Sequence, residues 1–109
     1  MEDKRSMWII AMFDLPTETD EEKHNYRNFR KFLLNDGFTM LQYSVYKRHC
    51  GNHAVLKTHE NRVIKNLPKF GKIQTFVMTD KQFGSISTYY GKDFVDLEEM
   101  KEPPQFIII

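Results

Sequence analysis

At 109 residues the chain has the length of one domain, enough to bury about two-thirds of its unfolded surface. Sixteen basic against fifteen acidic side chains leave a net charge of +1, so any nucleic-acid surface must come from local segregation of charge. One cysteine, Cys50, excludes an internal disulfide, and no apolar run nears the ~20 residues of a membrane span. The opening Met-Glu-Asp-Lys-Arg lacks the apolar centre of a signal peptide, and the expected location is the reducing cytoplasm.

Met7 to Leu15 carries seven unbroken apolar residues that stop at Asp14, with Pro16 two residues on. A run that short and rich in Ile, Met and aromatics reads as a strand buried on both faces. Pro16 cannot donate to a ladder, so the strand ends near Leu15 and leaves a carboxylate at its rim. Such rims are where functional acids sit, although Asp14 could equally serve only the amides of the turn before Pro16. Thr19 and Glu22 form a capping-box pattern, and Tyr26, Phe29, Phe32 and Leu33 then recur at helical spacing until Asn35-Asp36-Gly37. Phe38 to Cys50 reads as two short strands with a sharp change of direction near Gln42–Ser44. A second helix is expected from Gly51-Asn52 to about Leu67, stopped by Pro68 and Gly71. Lys72 to Thr79 alternates as a strand, Asp80 to Gly84 is a turn, and Ser85 to Tyr90 is a further short strand. An acidic stretch from Asp93 to Glu102 precedes Pro103-Pro104 and a terminal apolar strand, Gln105 to Ile109.

Strand, helix, two strands, helix, strand is the ferredoxin-like order, an α+β βαββαβ sandwich with both helices on one sheet face. Residues 1–92 make that domain, and 93–109 a linker with an additional C-terminal strand. The sheet's other face lacks a cover within the chain, although the first strand is apolar on both sides. A second copy covering it, as a symmetric homodimer, is the economical solution. Phe106-Ile107-Ile108-Ile109, left exposed, would be an aggregation hazard, so that strand is expected to pair with the dimer partner's sheet.

Residue by residue, the chain resembles the Cas two family, the small CRISPR-associated protein of spacer acquisition, and within it the type II members. The resemblance is carried by Phe13-Asp14-Leu15-Pro16, Tyr26-Arg27, Phe29-Arg30-Lys31-Phe32-Leu33 and Gly37-Phe38 with Met40-Leu41-Gln42-Tyr43-Ser44-Val45-Tyr46. Asn61-Arg62, Asn66-Leu67-Pro68, Thr79-Asp80-Lys81-Gln82-Phe83 and the apolar terminus continue it. It implies a homodimer, and a metal-dependent endonuclease whose Mg2+ is held by Asp14 of each protomer. It also implies a bridging role between two integrase (Cas one) dimers on duplex protospacer DNA; the cleaved substrate is RNA or DNA, with single-stranded RNA a candidate partner. Many members carry Tyr where this chain has Phe13, and some carry Arg where it has Met40.

One carboxylate per chain is a poor magnesium site, whereas two Asp14 side chains meeting across a two-fold axis make a usable one. Ser44 can hydrogen-bond phosphate or water there, or relieve backbone strain at the strand break. Arg27, Arg30 and Lys31 on the first helix, with Lys47 and Arg48 at the end of the third strand, are candidate phosphate contacts or solvated surface charges. Arg62 is expected to pair with a nearby acid such as Glu60. His49, Cys50, His53 and His59 match no standard zinc spacing and read as strand-end and helix residues. The competing function is a ferredoxin-like RNA-binding module without catalysis, whose Lys/Arg-Gly-Phe-x-Phe pattern Gly71-Lys72-Ile73 to Phe76 does not supply.

Overall fold

A computed structural model of the chain describes residues 6–94. Strand β1 (Met7–Asp14) leads through the Pro16 turn into helix α1 (Asp20–Asn35), followed by β2 (Thr39–Gln42) and β3 (Val45–Cys50). Helix α2 (His53–Lys65), strand β4 (Lys72–Thr79) and the one-turn helix α3 (Asp80–Gly84) complete the order. The strands form one antiparallel sheet in the order β2-β3-β1-β4, the arrangement that split βαβ units give. The expected linker and terminal strand, from residue 95 on, lie outside the described residues.

The capping box expected at α1 is formed. The Glu22 amide donates to Thr19 Oγ1 at 3.1 Å, and Glu22 Oε1 accepts from the Thr19 amide at 3.0 Å. Alternation along β1 then divides the molecule. Ile9, Ala11 and Phe13 face the helices and pack with Tyr26, Phe29 and Leu33 of α1 and Leu56 and Val63 of α2. Trp8, Ile10, Met12 and Asp14 take the opposite face. Trp8 there stacks on Phe83 of α3 at 3.9 Å, and its indole N–H donates to Asp80 Oδ1 at 2.7 Å. That corner apart, the second face carries no helix among the described residues.

Two expectations are corrected. Asp80–Gly84 is a helical turn rather than an open one, because Thr79 and Gln82 form a second capping box, with 3.1 Å and 2.9 Å bonds. Ser85 to Tyr90 is not a strand: among the described residues the sheet ends at β4, and no strand edge lies against that segment. Its β-forming side chains, Ile86, Tyr89 and Tyr90, are exposed. Propensity without a pairing partner does not make a strand.

Candidate functional site

The rim at the end of β1 is built from three passes of backbone. Asp14 is the last residue of β1, is exposed, and lies in register with Lys72, the first residue of β4. The chain reaches β4 through Gly71, whose φ of +91° only glycine adopts easily. A Cβ at Gly71 would sit 2.7 Å from the Asp14 carbonyl oxygen, so the close approach itself requires glycine. On the other side lies the β2–β3 turn, where the Ser44 carbonyl accepts from the Phe13 amide at 3.1 Å. The strand end is thus held from both sides.

Phe13 itself turns to the helix side and is 7% exposed, edge-on to Phe29 at 5.3 Å and to Tyr26 at 5.8 Å. Consecutive residues of one strand thereby separate tasks: Phe13 anchors the strand in the core and Asp14 presents its carboxylate outside. Met40, likewise, packs against the core.

Ser44 adopts φ +63°, the one non-glycine residue with positive φ among those described. Its Oγ lies 3.2 Å from the Tyr26 hydroxyl, so a helix side chain clasps the turn. Tyr43 beside it has its phenol pushed up to about 12, by burial first, then by its hydrogen bond to Tyr26 and the neighbouring Tyr26 and Tyr46 rings. The Arg30 guanidinium opposes that shift, which places its charge within reach of Tyr43. Arg30 Nε is buried without a hydrogen-bond partner among the described residues.

Of the candidates named from sequence, Asp14 and Ser44 flank this rim, while Arg30 lies on α1 with its charge felt at Tyr43. Arg27 and Lys31 sit exposed on α1, one turn apart on a common face. Lys47 projects on the open sheet face, where Nζ donates to Thr39 Oγ1 at 2.7 Å and lies 5.9 Å over the Trp8 ring. Arg48 is elsewhere and engaged: its Nε donates to the Asp36 carbonyl at 3.1 Å and its Nη1 to the His49 carbonyl at 2.6 Å. Lys72 and Tyr43 escaped sequence reasoning. Only strand register brings Lys72 beside Asp14, and only its place near Tyr26 and Arg30 distinguishes Tyr43 from other aromatics.

Far from the rim, at the C-terminal end of α1, Asp36 forms a second polar centre. Its carboxylate accepts from His59 Nδ1 at 2.7 Å and from Arg62 Nη1 at 2.8 Å. Arg62 therefore does not pair with Glu60, which instead meets Lys57 at 3.5 Å. Residues two apart on a helix point away from each other, so the expected local pair could not form. Cys50, next to this centre, is fully buried, and burial pushes its thiol pKa up, with Arg48 opposing.

The Asp14 carboxylate has no hydrogen-bond or ion-pair partner among the described residues, and its hard oxygens are the donor type Mg2+ takes. No group of three or more His, Cys, Asp or Glu side chains that could hold a metal forms among the described residues. Among the described residues one chain thus offers the ion one carboxylate, which fits a site completed by a second carboxylate and substrate oxygens. No described helix is long and apolar enough to cross a membrane.

Comparison with known proteins places this architecture. The profile of the family described as CRISPR associated protein Cas2 matches residues 7–86. The CRISPR-associated endoribonuclease Cas2 of Flavobacterium psychrophilum is 45% identical over 95 residues, covering 87% of this chain and 83% of that protein. The protein of the same name from Parvibaculum lavamentivorans is 50% identical over 86 residues, covering 79% and 85%. A crystal structure of Streptococcus pyogenes Cas2 at pH 6.5 superposes with a TM-score of 0.57 at 18% identity, covering 75% of this chain and 98% of that one, a likeness of fold. On the extent of the profile match and the identity of these relatives, the chain belongs to the CRISPR associated protein Cas2 family.

Proposed function

We propose that the chain acts as a homodimer that cleaves phosphodiesters with Mg2+ held between two Asp14 side chains, one from each copy. In the same reading it bridges integrase (Cas one) dimers on duplex protospacer DNA during spacer acquisition. The observation that carries the cleavage reading is the Asp14 carboxylate, unpartnered among the described residues, at the rim of a face that the described residues leave uncovered. The relatives' name, endoribonuclease, favours single-stranded RNA as the cleaved substrate.

Each residue then has a task. Asp14 contributes oxygen ligands, and when bound Mg2+ neutralises phosphate charge and makes a water more acidic. Lys72, in register with Asp14, puts a cation beside the bound phosphate. Ser44 offers a hydroxyl to a phosphate oxygen next to the strand end. Arg27 and Lys31 hold the flanking backbone, and Arg30 adds positive charge from behind Tyr43. Lys47 and Arg48, already bonded within the fold, would reach phosphate only at the cost of those bonds.

The dimer reading is supported by the open face, where Phe76 of β4 is 43% exposed, and by the edge of β4, which no described strand pairs. Beside that edge runs a groove of about 310 Å3 between α2 and β4, with Ile64, Leu67 and Ile73 in its walls. An apolar strand such as Gln105 to Ile109 from the partner would cover both.

Asp14→Asn tests the assignment, since Asn keeps the shape and loses the charge. Cleavage of RNA should require Mg2+ and fall at least about 100-fold in the variant, while integration with the Cas one partner survives. Undiminished cleavage would remove Asp14 from the site. Loss of integration by a well-folded variant dimer would end the separation of the two roles.

A further inference from the structure

We propose that Tyr26 is a positioning residue, the inner half of a two-hydroxyl relay from Tyr26 to Ser44 that holds the Ser44 hydroxyl for a phosphate oxygen beside Asp14. The inference rests on the proposed function only in taking Ser44 as a phosphate contact.

The first observation is conformational. Ser44 stands at φ +63°, a position where a turn alone favours Gly or Asn. A serine held there places a hydroxyl where glycine would place none. The second is the clasp. Tyr26 Oη lies 3.2 Å from Ser44 Oγ, and this is the serine hydroxyl's one partner among the described residues. Tyr26 is itself only 4% exposed and is braced edge-on against Phe13 at 5.8 Å, so its hydroxyl is not free to wander.

The third concerns what the contact can do. Either hydroxyl can donate in it, so Ser44 can accept from Tyr26 and keep its own proton for an outward acceptor. A hydroxyl that accepts one bond is polarised as the donor of the next, so the Ser44 O–H is a better donor than an isolated serine. The Phe13 amide, bonded to the Ser44 carbonyl at 3.1 Å, ties the end of the relay to the strand that carries Asp14.

A mutant cycle tests this without metal. The affinity of a short single-stranded RNA is measured in chelator for the full-length wild type, Tyr26→Phe, Ser44→Gly and the double variant, all confirmed as folded and in the same oligomeric state. Ser44→Gly should weaken binding about tenfold and Tyr26→Phe about threefold. The double variant should match Ser44→Gly alone, because Tyr26 acts through that hydroxyl. A threefold loss from Tyr26→Phe in both backgrounds overturns the relay, as does wild-type affinity in Ser44→Gly. Ser44→Ala keeps the backbone strain and removes the hydroxyl, so it must weaken binding at least as much as Ser44→Gly. Asp14→Asn, assayed alongside, separates the two readings. Undiminished cleavage there refutes the metal site, whereas the chelator measurements judge the relay by themselves.

Discussion

Replacing Asp36 by alanine should cost about 3 kcal/mol of folding stability, although the residue lies far from the proposed site. Its carboxylate is 6% exposed and serves two donors of very different standing. The His59 imidazole is 7% exposed and bonded at 2.7 Å, so removing its acceptor strands a buried N–H, at about 1.5–3 kcal/mol. Arg62 is 54% exposed and rehydrates when released, which limits its share to about 0.5–1 kcal/mol. A domain of this size holds only about 5–15 kcal/mol in total, so the loss is a large fraction of it. Urea unfolding followed by far-UV circular dichroism should move to a midpoint about 1–3 M lower, given slopes of about 1–3 kcal/mol per M. Protein concentration must be held fixed, because association contributes to apparent stability. Arg62→Ala, run in parallel, should cost below about 1 kcal/mol. Equal, small effects from both variants would refute the reasoning, reducing Asp36 to an ordinary surface ion pair.

Reversing the charge of Arg27 and Lys31 together should weaken nucleic-acid binding across sequences and flatten the slope of log affinity against log salt by about 1–2, measured by fluorescence anisotropy in a salt series. Gly71→Ala should destabilise the fold by about 1–3 kcal/mol in the same urea assay and slow cleavage further, since the new methyl meets the Asp14 carbonyl and Leu15 at a left-handed φ. Raising pH should remove a stabilising contribution between pH 10 and about 12. Tyr43 has its pKa raised on folding, so its contribution is intact below its unfolded value and lost as pH climbs through the folded one. Tyr43→Phe should flatten that alkaline loss, read by thermal melts across the range.

What sequence disclosed was whatever has a local cause. Thr19 and Glu22 announced α1 because both partners of the capping box lie within one turn. The apolar run ending at Asp14 announced β1, and its unbroken character marked it as central before any pairing was known. Thr79 and Gln82 repeat the α1 signature, so the helix at Asp80–Gly84, expected as a plain turn, carried a local signal of the same kind. The Ser85–Tyr90 strand failed for the converse reason, since strand formation depends on an edge elsewhere in the sheet. Arg62 found Asp36, 26 residues away, rather than Glu60, because tertiary packing brings the end of α1 against α2. The rim followed the same division. Asp14 and Ser44 were visible as a strand-end acid and a hydroxyl at a break, whereas Lys72 and the Tyr26–Ser44 clasp required register and helix docking.

Trp8 is the chain's lone indole, and it stands on the face that, among the described residues, carries no helix beyond α3. Its emission is therefore governed by that surface alone. A partner laid over the sheet would strip water from the ring and move the spectrum to the blue. Release of Phe83 and Asp80 would expose the ring and move it to the red. A ligand confined to the helical layer would leave the spectrum untouched. The fold carries its own optical gauge of which side is occupied.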